Sequence, residues 1–180
     1  MKFIGHKIYL RTYEDIDAEA LYDLHMRNKE FFQKYSPIRN NDYYTLEAKR
    51  EFVKNCEPQR INDEGYYFGI FLKDTDQLIG NISLSHIMRG PSQTCLLGYT
   101  LDKEHNGKGY MTDATSLVVE FAFNRLQLHR IEAGVMPHNI GSIRVLEKAG
   151  FHKEGIAQKN VKINGKWEDH QMMAIISDKD

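Results

Sequence analysis

The sequence predicts a mixed α/β domain built around one sheet. Three observations carry that prediction. Alternating apolar stretches recur along the chain, interrupted by runs of helical spacing. A glycine loop, His105-Asn-Gly-Lys-Gly-Tyr-Met-Thr112, stands between a strand-like run and a helical pattern. A second block, Val135-Met-Pro-His-Asn-Ile-Gly-Ser-Ile-Arg-Val-Leu-Glu-Lys-Ala-Gly-Phe151, again leads from a strand into a helix.

The elements follow in order. His6–Arg11 alternates and reads as a first strand. Asp15 or Asp17 can cap a helix running to about Asn28, with Ala18, Leu21, Leu24 and His25 on one face. Phe31-Phe-Gln-Lys-Tyr-Ser-Pro37 reads as an aromatic connector ended by a helix-stopping proline. Thr45 is a good N-cap for a helix through roughly Asn55, and Pro58 is expected to disrupt its far end. Gly65–Leu72 is a strand, Asp74-Thr-Asp76 a turn, and Leu78–Met88 a long alternating strand. Gly90-Pro-Ser breaks it before another strand, Thr94–Leu101. Beyond the glycine loop, Ala114, Leu117, Val118, Phe121, Ala122 and Leu126 have the spacing of a helix from about Thr112 to Leu126. His129–Met136 alternates as a strand. Asn139 then caps a helix with Ile140, Ile143, Val145, Leu146 and Ala149 inward, and Gly150 is a good terminator. Phe151–Ile163 and Lys166–Ile176 read as a hairpin around Asn164-Gly165, a type I′ turn signal. The order is strand, two helices, three strands, helix, strand, helix, two strands, which is α/β in one sheet.

Bulk properties narrow the function. At 180 residues the chain is expected to form one domain, 1–180. A net charge of −1 gives no global field to hold nucleic acid or an anionic membrane. No apolar run approaches the ~20 residues of a membrane helix, and the N-terminus has no signal-peptide core, so a cytoplasmic location is expected. Cys56 and Cys95 read as buried free thiols. The histidines form no spaced pair that would seed a metal site, and no metal is expected.

The glycine loop has its own chemistry. Two glycines one residue apart let the backbone turn tightly and present several N–H groups together. The helix that follows adds a partial positive charge, making a cradle suited to a phosphate or pyrophosphate. A dinucleotide site or a P-loop fits less well. Position 112 is Thr where the first needs its last glycine, and Gly107-Lys-Gly109 lacks the Lys-Ser/Thr of the second.

The element order, with Gly-Lys-Gly at one strand's exit and an Asn-x-x-Ser helix after the next, resembles the GCN5-related N-acetyltransferase (GNAT) superfamily over nearly the whole chain. Leu97-Gly-Tyr99, Asn106-Gly-Lys-Gly-Tyr-Met111, His129-Arg-Ile-Glu-Ala133, Met136-Pro-His-Asn139, Gly150-Phe-His-Lys-Glu-Gly155 and Asn164-Gly-Lys-Trp-Glu-Asp-His170 are similar to the RimJ/RimL-type ribosomal-protein-alanine N-acetyltransferases. The family's loop, Gln/Arg-x-x-Gly-x-Gly/Ala, maps to Asn106, Gly109 and Met111. Two of these three depart from the general pattern, at positions where the loop works through backbone amides.

The resemblance implies a mostly antiparallel sheet of about seven strands, splayed between strands four and five and flanked by about four helices. It implies acetyl-CoA as co-substrate. Asn106, Gly107, Lys108, Gly109, Tyr110, Met111 and Thr112 would hold the pyrophosphate, with Lys108 either adding charge or remaining a solvated loop residue. Backbone groups at Tyr99, Thr100 and Leu101 would pair with the pantetheine amides. Asn139 would bond the same arm with its side chain, cap its helix, or do both. A backbone N–H at the strand-four bulge would stabilise the oxyanion. Ser142 would hydrogen-bond or protonate the departing sulfur, or else be an ordinary first-turn serine.

The general base is open among His86, Glu168, Asp169 and His170. An α-amine ionises near 7.7–8.0 and lysine near 10.4, so deprotonating lysine costs roughly 3.5 kcal/mol more. The missing strong base therefore favours an N-terminal acceptor, a ribosomal protein among the candidates. The acceptor groove is expected between Phe31, Phe32, Tyr35 and Pro37 on one wall and Trp167, Asp169 and His170 on the other. Asp169 would attract the ammonium group or pair with His170, and the aromatics would serve either as platform or as core. Two other readings stay open. One is a small polycationic amine as acceptor, such as an aminoglycoside or polyamine, which needs an acidic groove. The other is a non-catalytic acyl-CoA-binding module. Oligomeric state is unreadable.

Overall fold

The computed structural model describes residues 1–179. In chain order the elements are β1 (Lys2–Ile4), β2 (Ile8–Thr12), α1 (Asp17–Arg27), α2 (Lys29–Gln33), α3 (Leu46–Ile61), β3 (Gly65–Leu72), β4 (Leu78–Met88), β5 (Thr94–Leu101), α4 (Tyr110–Asn124), β6 (Arg130–Val135), α5 (Ile140–Lys148), β7 (His152–Ile163) and β8 (Lys166–Ile176). Among the described residues the strands form one eight-stranded sheet in the order β1-β2-β3-β4-β5-β6-β8-β7. All neighbours are antiparallel except β5 and β6.

Alternation along β2 to β5 sends apolar side chains to both faces, and helices cover each. On one face α4 packs Ala114, Val118, Phe121 and Ala122 against Leu10, Phe68, Ile70, Ile82 and Leu84. On the other, Leu21, Leu24 and Val53 of α1 and α3 cover Tyr9, Phe71 and Leu78. Each such large side chain contributes about 1.5–3 kcal/mol on leaving water.

Several sequence expectations shift. The edge strand β1 is too short to show a period; Phe3 docks it, 5.5 Å from the Phe68 ring and 5.1 Å from Phe121. With β1 the sheet has eight strands where about seven were expected. The aromatic connector holds one short helix, α2, bringing the helices to five. Asp17 is not a cap but the first residue of α1. Its carboxylate accepts from Arg11 at 2.6 and 2.8 Å and from the Glu14 N–H at 2.7 Å. Pro58 does not end α3, which continues to Ile61. Pro58 is exposed on the last turns, so the backbone carbonyl it leaves unpaired can be hydrated. Thr45 and Asn139 do cap their helices, accepting from Ala48 N–H at 3.2 Å and Ser142 N–H at 3.3 Å. Asn164 and Gly165 have φ of +47° and +81°, as a type I′ turn requires.

The feature that positions the site is a defect in the ladder. β5 and β6 pair in parallel only from Thr94 to Leu96 against Arg130 to Glu132. Beyond Leu96 they part. β8 keeps pairing with β6 as far as Val135, so β6 is held away from the far half of β5.

Candidate active site

The parted strands open a cleft of about 730 Å³. Its floor is Tyr99, Thr100 and Leu101 of β5. One wall is the glycine loop with the first turn of α4, a second the start of α5, and Phe31 and Phe32 of α2 with Tyr35 just after it close the mouth. Beyond Leu96, alternate N–H and C=O groups of β5 have no strand partner on the β6 side. A ligand with amides of its own can complete that ladder.

The loop is built to be approached closely. Gly107 and Gly109 have φ of +75° and +82°, where a side chain is strained. A Cβ at Gly107, Gly109 or Gly141 would meet nothing within 4 Å, so each glycine faces open cleft. Gly109 is also the residue from which α4 starts, which aims the helix's unpaired N–H groups into the same space. The loop is anchored from below. Asp102, only 1% exposed, accepts from Arg27 at 2.8 Å and from the Glu104 N–H at 3.2 Å, while Asn28 accepts from the Lys103 N–H at 3.0 Å. Burial pushes the Asp102 carboxyl up, but the Arg27 guanidinium and the Glu104 amide outweigh it and hold it below the usual range.

Opposite the loop, the Tyr99 hydroxyl lies 2.7 Å from Ser142 Oγ and 3.3 Å from the Ser142 carbonyl. Burial pushes the Tyr99 phenol up to about 12, with the Ser142 bond pulling slightly the other way. The phenol is therefore neutral, and in the Tyr99–Ser142 hydroxyl pair either oxygen can donate. Lys103, Arg144 and Lys148 stand at the cleft's edge. Among the described residues that line it there is no carboxylate and no histidine. Cys56 and Cys95 take no part: both are buried, and burial pushes both thiols up to about 12.

A family model for the acetyltransferase (GNAT) domain matches residues 7–152. The chain belongs to the GNAT acetyltransferase family. It is 57% identical to a probable N-acetyltransferase, YjcK, of Bacillus subtilis (strain 168), covering 98% of this chain and 97% of that one. The crystal structure of ribosomal-protein-S5-alanine acetyltransferase from Vibrio fischeri superposes with a TM-score of 0.94 at 32% identity, covering 99% of this chain and 98% of that one. Mycobacterium smegmatis RimJ, solved in complex with CoA-disulfide, shares the fold with a TM-score of 0.90 at 23% identity, covering 96% of this chain and 83% of that one. The protein is thus a GNAT N-acetyltransferase related to the ribosomal-protein-S5-alanine acetyltransferases.

Within this GNAT cleft the structure brings together most residues singled out from sequence. Tyr99, Thr100, Leu101, Asn106, Gly107, Gly109, Tyr110, Met111, Thr112, Asn139 and Ser142 line it, as do Phe32 and Tyr35. Lys108 does not; it is exposed on the loop's outer side. Trp167, Asp169 and His170 of the closing hairpin are not among the residues that line the cleft. The hairpin tip docks directly on the connector after α2, where the Asn164 N–H donates to the Ser36 carbonyl at 3.0 Å. Alternation along β8 then turns Trp167, 57% exposed, and Asp169 outward. Asp169 accepts from the Lys159 N–H at 2.8 Å, inside a register shift of the β7–β8 pair. His170 faces inward and is 7% exposed, its Nδ1 3.2 Å from the Glu168 carbonyl and its ring beside Gly134. Glu168 lies 3.9 Å from Lys166. His86 sits at the β4 bulge with φ +51°, its Nδ1 3.1 Å from Ser85 Oγ. None of the four candidate bases lines the cleft.

Sequence reasoning missed Ser36, Lys103, Gly141, Arg144, Val145 and Lys148 as lining residues. Gly141, Arg144, Val145 and Lys148 stand three and four apart, so the period that identified the buried face of α5 also marks this one.

Proposed function

We propose that this acetyltransferase moves acetyl from acetyl-CoA to the α-amine of a protein N-terminus in the cytoplasm, ribosomal proteins included. The observation that carries the reading is that, among the described residues, the cleft is lined by neither carboxylate nor imidazole. An α-amine is partly neutral near pH 7.5 and needs only water to take its proton, whereas a lysine side chain needs roughly 3.5 kcal/mol more. The acceptor named for the 32% identical neighbour, a ribosomal-protein alanine, is of this kind. A polycationic small amine suits the cleft poorly, since its charged edge is Lys103, Arg144 and Lys148.

The residues fit the co-substrate. The open glycines would hold its pyrophosphate on loop amides, the unpaired edge of β5 would bond its pantetheine amides, and Asn139, already capping α5, keeps its side-chain N–H groups for the same arm. Acetyl-CoA supplies an activated acyl group. The acceptor nitrogen forms the new C–N bond as the C–S bond breaks, and the nitrogen's extra proton passes to water. With the Tyr99 hydroxyl donating to Ser142 Oγ, the Ser142 O–H would be free to donate to the departing sulfur. Each bond strengthens as negative charge develops on sulfur, which is where a donor accelerates the step.

The test is acceptor-dependent release of CoA thiol. Peptides beginning with Ala, Ser or Met are expected to be acetylated on the α-amine, with the same peptides blocked at that amine inert. Turnover confined to aminoglycosides or polyamines would transfer the assignment to small amines. CoA binding with no turnover on any acceptor would make the chain a binding module.

A further inference from the structure

Beside the cleft mouth lies a smaller pocket, lined by His25, Lys29, Arg39, Tyr43, Tyr44 and Thr100 among others, and Thr100, Phe32 and Ser36 border both spaces. Its charges are unbalanced. Arg39 lies 5.1 Å from the Tyr43 ring centroid and Lys49 3.6 Å from the same centroid, so two cations share one ring. Lys29 stands 4.2 Å from the neighbouring Tyr44 ring. Lys49 is 3% exposed. Burial, followed by the Arg39 charge, pulls its ammonium down to about 8. Burial and then the Lys49 charge pull His25 down to about 4, leaving it neutral. Among the described residues no carboxylate forms an ion pair with Lys29, Arg39 or Lys49. Nearby Glu30 and Asp42 are exposed and pair with none of them. Lys29 and Arg39 are exposed at the pocket rim, and only Lys49 is held out of water, at a cost that the Tyr43 ring face offsets in part. At the boundary with the cleft, Thr100 Oγ1 is buried without a hydrogen-bond partner.

We propose that this pocket receives a carboxylate of the acceptor, an Asp or Glu side chain within the first few residues after the amine that is acetylated. A peptide whose amine approaches the thioester by way of the mouth at Phe32 and Ser36 passes the pocket, which shares those residues. Lys29 and Arg39 would then grip the carboxylate, with the Thr100 hydroxyl as a further donor, while Lys49, which lies over the Tyr43 ring and does not line the pocket, adds its charge through space. The inference deepens the N-terminal-acceptor reading and rests on it.

C-terminally labelled peptides, identical except for Asp/Glu, Asn/Gln or Lys at positions two to four, test it by anisotropy in the presence of CoA and by thiol release. Acidic peptides are expected to bind roughly tenfold tighter than their amide counterparts, as a charge-assisted pair in a half-buried pocket allows. Arg39→Gln and Lys49→Met are each expected to shrink that ratio at least about threefold, with KM for acetyl-CoA within about twofold of wild type. Lys49→Met is also expected not to lower the melting temperature, because it removes an uncompensated buried charge. A purely structural Lys49 would lower it and leave the acid-to-amide ratio alone. Equal binding of acidic and amide peptides, or a ratio unchanged in both variants, overturns the inference. A KM for acetyl-CoA that rises in both variants assigns the cations to the co-substrate and overturns it too. Acidic preference in binding with no turnover of any peptide defeats the N-terminal-acceptor reading while the pocket stands.

Discussion

Gly109→Val is expected to raise the dissociation constant of acetyl-CoA by roughly ten- to a hundredfold, with the fold intact. The position has φ +82° and is where α4 begins. A β-branched residue is strained there by about 1–3 kcal/mol. The free loop is exposed and relieves that strain by changing conformation, so binding has to restore the strained form, which converts to the stated range. The added branches also project into cleft space that no protein atom fills within 4 Å. Gly90→Val is the control. Its φ is +70°, again with nothing within 4 Å, but it lies in the turn between β4 and β5 at the far end from the cleft. Calorimetry is expected to show wild-type affinity for Gly90→Val; equal losses in the two variants would mean that the loop does not contact the ligand.

The second large effect concerns turnover. Ser142→Ala is expected to lower kcat by roughly ten- to a hundredfold, the range found when one donor to a developing negative charge is lost, with KM for acetyl-CoA nearly unchanged. Tyr99→Phe removes the hydroxyl that lies 2.7 Å from Ser142 Oγ, so it acts through the same bond. The double variant is therefore expected to be little worse than Ser142→Ala. The pH profile carries a further sign. Burial raises the Tyr99 phenol to about 12, which keeps its proton on throughout the working range. The rate should rise with pH as the acceptor amine loses its proton, near pH 8, and then stay level to about pH 10. A fall between pH 8 and 10 that vanishes in Tyr99→Phe would show the phenol titrating there and contradict the assignment.

The glycine loop, the capped α5 and the floor of β5 were readable because each is local. Gly107 and Gly109 mark a backbone conformation, Asn139 a cap, and the Asn164-Gly165 turn its own hairpin. Three other features depend on distant parts of the chain. The short β1 exists because Phe3 finds Phe68 and Phe121, far away in sequence. The resemblance implies Trp167 and Asp169 as acceptor wall, and the structure leaves both outside the cleft lining. The register shift between Ala157 and Val161 and the docking of Asn164 on Ser36 join segments that are distant or out of period, and neither leaves a periodic trace. The cationic pocket is of the same type. His25 belongs to an apolar face, Lys49 to a helix interior and Arg39 to a loop, and only their convergence on Tyr43 makes them a site.

The whole account depends on acetyl-CoA lying between β5 and β6 with its diphosphate on the loop amides. Amide chemical-shift changes in the isotope-labelled protein during titration with acetyl-CoA measure this directly. The largest changes are expected at residues 107–112, 99–101 and 139–142. Saturation with those amides unmoved and the main changes elsewhere would contradict it.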